Sequence, residues 1–346
     1  VTTTSVPLVN ARKSRVLLAH GGGGQLMDEL LEEVVRPSLA NPLLDGMEDS
    51  AVCDVGGARV AFTTDGYVVQ PLRFPGGDIG RLAVCGTVND LAVCGAEPRW
   101  ISLALIIEEG FSTQELGEIM GSVARAAGEA GVEVVTGDTK VVARGQADGL
   151  YITTAGMGVV PAGVSLGVGR VEPGDAILLS GTIADHGLAV MLQREDEASI
   201  RSDLASDAAP LNGLTRALLG VADVRFMRDA TRGGLSGVLA DLAERSGRRL
   251  RVDEAAIPIR SETAYAAEML GLDPLDVANE GKLVAVVPGA EAARALEALR
   301  AHELGRDAAI IGRVGDEGDG LCELETDVGG SRVLQKPYGE ELPRIC

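Results

Sequence analysis

GDIGRLAVCGTVNDLAVCGAEPRWISLALIIE, residues 77–108, decides the fold. As far as Gly95 it is an apolar run long enough for several helical turns, and after Pro98 it becomes a compact stretch of Trp, Ile and Leu that suits a strand. A helix feeding a strand is the mark of mixed α/β structure, and the neighbouring sequence repeats it. "RVAFTTD" (59–65), "VEVVTGD" (132–138) and "GLYITTAGMGVV" (149–160) read as strands, and "STQELGEIMGSVARAAGEAG" (112–131) as a helix. Nearer the start, "SRVLLAH" (14–20) reads as a strand that passes through Gly21, Gly22, Gly23 and Gly24 into a helix, "QLMDELLEEVV" (25–35). The Gly- and Pro-rich "PAGVSLGVGRVEPGD" (161–175) breaks the pattern, so an N-terminal domain is expected over 1–160 and a second over 161–334. The second is again α/β. Its strands are "AILLSG", "VRFMRDA", "LRVDEAAIPI", "KLVAVV" and "AAIIGRVG", and its helices "LNGLTRALLG", "GLSGVLADLAERSG", "ETAYAAEMLG" and "AEAARALEALRAH".

With 346 residues and 46% hydrophobic content the chain can bury the cores of two such domains. Its 51 acidic against 31 basic residues, a net charge of −20, repel phosphate backbones and anionic lipid, so neither nucleic acid nor a membrane surface is an expected partner. No apolar run approaches the roughly 18 residues of a membrane span, and no leader-like segment is seen, which points to the cytoplasm. Cys53, Cys85, Cys94, Cys322 and Cys346 form an odd set without a C-x-x-C pair, which argues for reduced thiols over disulfides or a zinc ribbon. The first four read as buried and inert. Cys346 differs, because it ends an aperiodic stretch, "QKPYGEELPRIC" (335–346), in which Pro337 and Pro343 predict an extended tail.

Acidic residues recur where strands give way to glycine: Asp49 in "GMEDSAV", Asp65 in "TTDGY" and Asp138 in "VTGDTK". Carboxylates so placed suit Mg²⁺ held against a polyphosphate. Asn89 and Asp90 interrupt the apolar run of the opening stretch, where an unpaired buried carboxylate is costly, so a metal ion or phosphate is the expected partner and a solvent-facing or capping position the alternative. Gly21 to Gly24 offer either backbone N–H groups to a polyphosphate at a helix N-terminus or a flexible linker. "RDATRGGLSG", with Asp229 and Thr231, is a second such nest and equally a plain helix cap. Two of the four lysines, Lys140 beside Asp138 and Lys282 beside Glu280, fall in loop motifs where a tunable amine is useful, although a surface position is the simpler reading for Lys282 alone. His20, His186 and His302 are too far apart in sequence for a metal cluster; the first two adjoin glycine and are minor ligand candidates.

Together "LAHGGGGQLMDEL", "TTDGYVVQPLRFPGGDIGRLAVCGTVNDLAVCGAEP", "VTGDTKVV", "DATRGG", "NEGKL" and the terminal "PRIC" resemble the carbamoyl dehydratases of nickel-iron hydrogenase maturation, the hydrogenase expression/formation protein E family, over residues 18–346. That family lies in the superfamily of aminoimidazole ribonucleotide synthetase, selenophosphate synthetase and thiamine monophosphate kinase. The resemblance implies a two-domain aminoimidazole ribonucleotide synthetase-like α/β fold whose N-terminal domain pairs with its twin in a homodimer, with ATP in the groove between the domains and an extended tail. It implies that a carbamoyltransferase loads Cys346, that ATP and Mg²⁺ drive dehydration of the carbamoyl group to a thiocyanate, and that an iron-carrying scaffold complex receives the cyanide. On that reading Asp49, Asp65, Asp90 and Asp138 hold metal ions, while Gly21, Gly22, Gly23, Gly24, Asn89, Asp138 and Asp229 contact the nucleotide. Glu280 is the base for the amide N–H, and Lys140 orients the amide or relays its proton. The Glu48-Asp49-Ser50 sequence departs from the Asp-Asp-Ala pattern of the superfamily and leaves Asp49 as the surviving ligand. From Pro337 the extended tail would span roughly 30–35 Å, enough to swing between solvent and cleft. The competing readings are a small-molecule kinase or synthetase of the same superfamily, which has no use for a terminal thiol, and a non-enzymatic adaptor, which leaves the aspartates without a role.

Overall fold

A computed structural model describes residues 15–194, 203–339 and 344–346. The first domain is a five-stranded sheet in the order Ala51–Val55, Ala58–Tyr67, Leu150–Val159, Glu97–Glu108, Glu133–Val142. Only the last pair is parallel. Helices Ile79–Val93 and Thr113–Ala130 lie against each other on one face of this sheet. Gly80 lets them approach, since a Cβ there would stand 2.7 Å from the Ile119 carbonyl oxygen. The helix Ile79–Val93 is apolar all round because it is buried all round: it also touches the strand Phe226–Asp229 and the helix Asn212–Leu219 of the second domain. The stretch that decides the fold in the sequence is thus the seam of the molecule.

The second domain is built on a seven-stranded sheet, ordered Ser331–Leu334, Cys322–Glu325, Leu250–Asp253, Ala309–Val314, Ala176–Leu179, Leu283–Val287, Phe226–Asp229. Its central strands are covered on both faces. Ile177, Leu179, Val284 and Val286 pack with Leu235, Val238, Leu239 and Leu242 of helix Gly234–Ser246, whereas Leu178, Leu283, Ala285 and Val287 pack with Leu214, Leu218 and Leu299 from the opposite side. Period-2 alternation between two apolar layers explains why these strands read as continuous hydrophobic runs.

The segment before the first strand departs from expectation. Residues 15–20 of "SRVLLAH" form no strand; Leu18–Gly22 is a 3₁₀ turn, and Val16, Leu17 and Leu18 are exposed with no strand beside them among the described residues. The helix that follows starts at Gln25, widens to a π turn over Leu31–Val35 and resumes over Arg36–Leu39. The wide turn lies where the ring of Pro37 would otherwise meet the carbonyl four residues back. Among the described residues no helix is long and apolar enough to cross a membrane.

Asn89 fastens the seam. It is fully buried; its Nδ2 donates to the carbonyls of Ala209 and Glu280, both at 3.1 Å, and its Oδ1 accepts from the Leu211 amide at 2.8 Å. Expected at the nucleotide, it has both of its side-chain polar atoms on second-domain backbone in this structure. Asn89→Ala is therefore expected to leave the Ala209 carbonyl and the Leu211 amide unpartnered, the Glu280 carbonyl keeping only the Ala209 amide at 3.4 Å, and to lower the unfolding free energy by about 2–4 kcal/mol in a urea titration. A loss below about 0.5 kcal/mol, the level of an ordinary surface change, would refute the assignment.

Candidate active site

The strand Ala58–Tyr67 turns Thr63, Asp65 and Tyr67 toward the helix Ile79–Val93, and that helix presents Asp90 to them. Thr63 donates to Asp90 Oδ2 at 2.7 Å, and Tyr67 to Asp65 Oδ2 at 3.0 Å. Across the seam Asp229, at the end of strand Phe226–Asp229, completes a group of like charges. Burial, then the charges of Asp65, Asp229 and Asp49, hold Asp90 well above the usual carboxylate range. Burial and the charges of Asp49 and Asp65 do the same to Asp229. Asp65 is raised by burial, and less so because Tyr67 and Arg232 oppose the shift.

No metal ion is part of this structure, but the donor set can be tested for one. Asp229 Oδ2 is buried without a hydrogen-bond partner, and the surrounding oxygens belong to carboxylates that repel one another. An all-oxygen anionic set of this kind fits a hard divalent cation such as Mg²⁺. In this conformation no three acidic, His or Cys groups among the described residues stand close enough to share one ion.

Glu280 is buried beside the same group. Desolvation, then Asp229, Asp207 and Asp65, hold it well above its ordinary value, while Arg232 pulls the other way. Its backbone amide donates to Asp207 Oδ1 at 2.9 Å, and the other oxygen of Asp207 pairs with Lys282 at 3.0 Å. Lys282, for which the surface was the simpler expectation, is thus a largely buried partner that helps to fix the Glu280 loop. Arg232 is the cation of the site: the charge of Cys346 foremost, then Asp65 and Glu280, keep its guanidinium above its usual range despite burial.

That influence exists because the C-terminus is docked. A terminal carboxylate oxygen of Cys346 accepts from the Val68 amide at 3.1 Å and the Arg344 carbonyl from the Gln70 amide at 3.0 Å, so the last residues pair antiparallel with the segment just beyond Asp65 and Tyr67. Ile345 is buried with Leu188, Val277 and Ala278, and Cys346 packs beside it. The opposite end of the tail is also held. The amides of Gln25 and Leu26 donate to the carbonyls of Pro337 and Tyr338, at 2.9 and 3.0 Å, and Lys336 bridges Asp28 at 2.8 Å and Asp241 at 2.7 Å. Pro343, with 340–342, lies outside the described residues.

This changes the reading of the glycine loop. The first N–H groups of the helix after Gly21, Gly22, Gly23 and Gly24 are taken by tail carbonyls, and a Cβ on Gly24 would stand 2.1 Å from the Pro337 oxygen. A Cβ on Gly23 would meet Arg232. These glycines admit the tail and the arginine rather than presenting a ready-made anion nest. Neither Asp229 nor Thr231 caps the helix Gly234–Ser246; Gly233 does, with no side-chain hydrogen bond.

Asp49 lies at the edge of the acidic group with its carboxylate on Arg228, whose Nε is 3.2 Å away, and Arg228 also binds Asp241. Ser50 donates to the Asp90 carbonyl at 3.0 Å, which accounts for a hydroxyl at that position. Asp138 and Lys140 fall elsewhere. They were expected after a strand end, but the strand Glu133–Val142 continues through them, because it pairs in parallel with Glu97–Glu108 along its whole length. Asp138 lies opposite Ala104 and Lys140 opposite Ile106, on the sheet face that also exposes Trp100, Ile106, Phe62 and Met157. Lys140 and Asp138 pair with each other at 2.5 Å, and that contact holds Asp138 below its usual range. Within one chain they are therefore three strand spacings, roughly 14 Å, from Asp65 and on the other face of the sheet.

Two family models match the chain: AIR synthase related protein, N-terminal domain, over residues 47–160, and AIR synthase related protein, C-terminal domain, over residues 172–323. The carbamoyl dehydratase HypE of Azotobacter vinelandii is 49% identical over 339 residues, which is 98% of this chain and 99% of that protein. Among solved structures, a HypE–HypF complex superposes with a TM-score of 0.84 at 44% identity, covering 89% of this chain and 99% of its counterpart. HypE in complex with ATP superposes with a TM-score of 0.80 at 42% identity, covering 96% and 100%.

A carboxyl group whose folded pKa exceeds its unfolded value contributes stability that is complete below the unfolded pKa and is lost as pH rises through the folded one. For Asp65, Asp90, Asp229 and Glu280 that loss runs upward from the ordinary carboxylate range. A divalent cation would relieve it. The rise in melting temperature on adding Mg²⁺ is expected to grow between about pH 5 and pH 8 and to shrink in Asp229→Asn, as read by scanning calorimetry with EDTA controls. A rise that is independent of pH would be incompatible with this cluster as the cation site.

Proposed function

The chain belongs to the HypE family of carbamoyl dehydratases, and from that premise we propose that Cys346 carries a carbamoyl group into the cleft and that Glu280 removes its amide proton there. The chain is an enzyme of hydrogenase maturation, and its reaction is ATP-dependent carbamoyl dehydration. The observation that carries the proposed roles is the docked C-terminus, whose last residue pairs with Val68, three residues beyond Asp65, and packs beside the buried Ile345.

The chemistry follows from what must leave. An S-bound carboxamide loses its oxygen only if that oxygen becomes a good leaving group, and when bound ATP with Mg²⁺ supplies the phosphoryl group and the positive charge that make it one. The products are then an S-cyano group, ADP, phosphate and one proton. Two N–H bonds of the amide break in the process. Glu280 accepts one of these protons, and its high proton affinity in the buried pocket makes it an effective base once a cation offsets Asp65 and Asp229. Arg232 lies among Cys346, Asp65 and Glu280, where it stabilises negative charge growing on the departing oxygen. Burial of Ile345 behind the thiol excludes bulk water from one side of the site.

Asp49, Asp65, Asp90 and Asp229 would hold the cation and the phosphates between the domains. Asp138 and Lys140 cannot reach this group within one chain, which supports a homodimer formed through the outer face of the first sheet. Phe62, Trp100, Ile106, Met157 and Val159 are exposed on that face, an apolar area that a second copy would cover. In such a dimer Lys140 orients the amide from the partner protomer. The solved HypE–HypF complex supports a HypF-type carbamoyltransferase as the protein that loads Cys346, and an iron-carrying scaffold then takes the cyanide. We place this work in the cytoplasm, where five free cysteines stay reduced.

Intact mass spectrometry after incubation with the carbamoyltransferase, carbamoyl phosphate and Mg-ATP tests these roles. Cys346→Ala is expected to gain no adduct. Glu280→Gln is expected to accept the carbamoyl group yet convert it to the cyano form about 100-fold more slowly. Equal conversion in Glu280→Gln would remove Glu280 as the base. Mixing equal amounts of Lys140→Ala and Glu280→Gln under subunit exchange is expected to restore activity toward about a quarter of the unaltered dimer, because only the mixed dimers, about half of the total, contain an intact site, and each contains one of two; no recovery would place Lys140 outside the partner's site.

A further inference from the structure

His186 lies on the helix Asp185–Arg194, is fully buried, and has no part in the chemistry above. Its Nε2 is 2.7 Å from the Ile345 carbonyl oxygen and its Nδ1 is 2.8 Å from Ser206 Oγ. A carbonyl only accepts, so Nε2 bears the proton and Nδ1 accepts from the Ser206 hydroxyl. Ser206 Oγ in turn accepts from the Ala208 amide at 3.1 Å. The ring is wedged edge-on against Phe74, with centroids 5.4 Å apart and planes at 88°. Every degree of freedom of the imidazole is thus fixed by something other than the tail. Burial holds the ring below the usual histidine pKa, which keeps it neutral with a single donor available.

The acceptor is the last backbone carbonyl before the terminal residue. A peptide group is planar, so fixing the Ile345 oxygen fixes the plane from which the Cys346 Cα and its thiol depart. The other ties flank that carbonyl on the opposite edge of the tail: the Val68 amide holds an oxygen of Cys346 at 3.1 Å, the Gln70 amide holds the Arg344 carbonyl at 3.0 Å, and Arg344 donates from Nε to the Val68 carbonyl at 3.0 Å and pairs with Asp148 at 2.6 Å, but none of them touches the Ile345 oxygen. We propose that His186 is a positioning residue for dehydration: it orients the Ile345–Cys346 peptide so that the loaded thiol faces Glu280 and Arg232, and it plays no part in loading, which takes place with the tail away from it. This rests on Cys346 being the carrier.

The experiment uses the full chain with its carbamoyltransferase, carbamoyl phosphate and Mg-ATP, following the carbamoyl and cyano adducts separately by intact mass over time. His186→Leu is expected to load within about 2-fold of the unaltered rate and to convert about 10–100-fold more slowly, a loss typical of a misplaced reacting group. His186→Gln, whose amide can still donate to Ile345, is expected to recover much of that loss. Ser206→Ala, which releases the Nδ1 side of the His186 ring without touching the tail, is expected to slow conversion by about 2–5-fold without touching loading, and it carries the test should His186→Leu fail to fold. Conversion at the unaltered rate in all three variants overturns the proposal, as does a parallel fall in loading and conversion that His186→Gln does not relieve. Absence of any adduct on the unaltered chain overturns the carrier reading itself, a different result from normal loading with undisturbed conversion.

Discussion

Four carboxyl groups forced together in a seam govern this molecule. Asp65 and Asp90 come from the first domain, Asp229 and Glu280 from the second; burial raises each of them, and the charge of others in the group adds to the rise at Asp90, Asp229 and Glu280, whereas Tyr67 and Arg232 temper it at Asp65. No single domain would tolerate the group as a core. It persists because the apolar helix Ile79–Val93 and the Asn89 clamp close the seam around it, and because Arg232 supplies one fixed countercharge. Stability lost there is what makes the seam a binding site for positive charge: the folding energy of both domains preserves a local field that only a cation relieves.

The tail enters the same field from outside. It has two kinds of attachment. The stem, Lys336 to Tyr338, is bound to the start of the helix after the glycine loop and anchored by Asp28 and Asp241, whereas the tip, Arg344 to Cys346, is paired with Val68 and Gln70. Asp241 also binds Arg228, which binds Asp49. One chain of ion pairs therefore runs from the root of the tail to the edge of the acidic group. The glycine loop, the tail and the nucleotide cleft are mechanically one unit, although they are far apart in sequence.

Much of this was legible beforehand, and the exceptions have physical causes. The helix Ile79–Val93 and most strands of both sheets follow from period and composition, and Asp65 and Asp90 from carboxylates placed in apolar or glycine-rich surroundings, whereas Glu280, and the place of Asp229 at the nucleotide, rest on the family resemblance of "NEGKL" and "DATRGG". "SRVLLAH" has the composition of a strand but no strand beside it among the described residues, and pairing is not written in a single segment. Lys282 reads as a surface residue because its acid, Asp207, is 75 residues away. Asn89 carries the same polar signal as Asp90, and only the position of Ala209, Leu211 and Glu280 tells a clamp from a ligand. Arg232 and His186 had weak signals, an arginine inside "DATRGG" and a histidine beside Gly187, and they acquire meaning only once the C-terminus is seen to lie between them. Long-range pairing is the information that spacing does not hold.

With Tyr338 bound beside Gly24, the thiol of Cys346 sits on a leash of eight residues, 339–346. Eight residues reach at most roughly 28 Å, and a group so tethered meets its own docking site at an effective concentration in the millimolar range. Docking is consequently unimolecular and insensitive to how much of the protein is present. A partner that draws the thiol out competes with that local concentration, so its grip must rest on more of the surface than the last few residues.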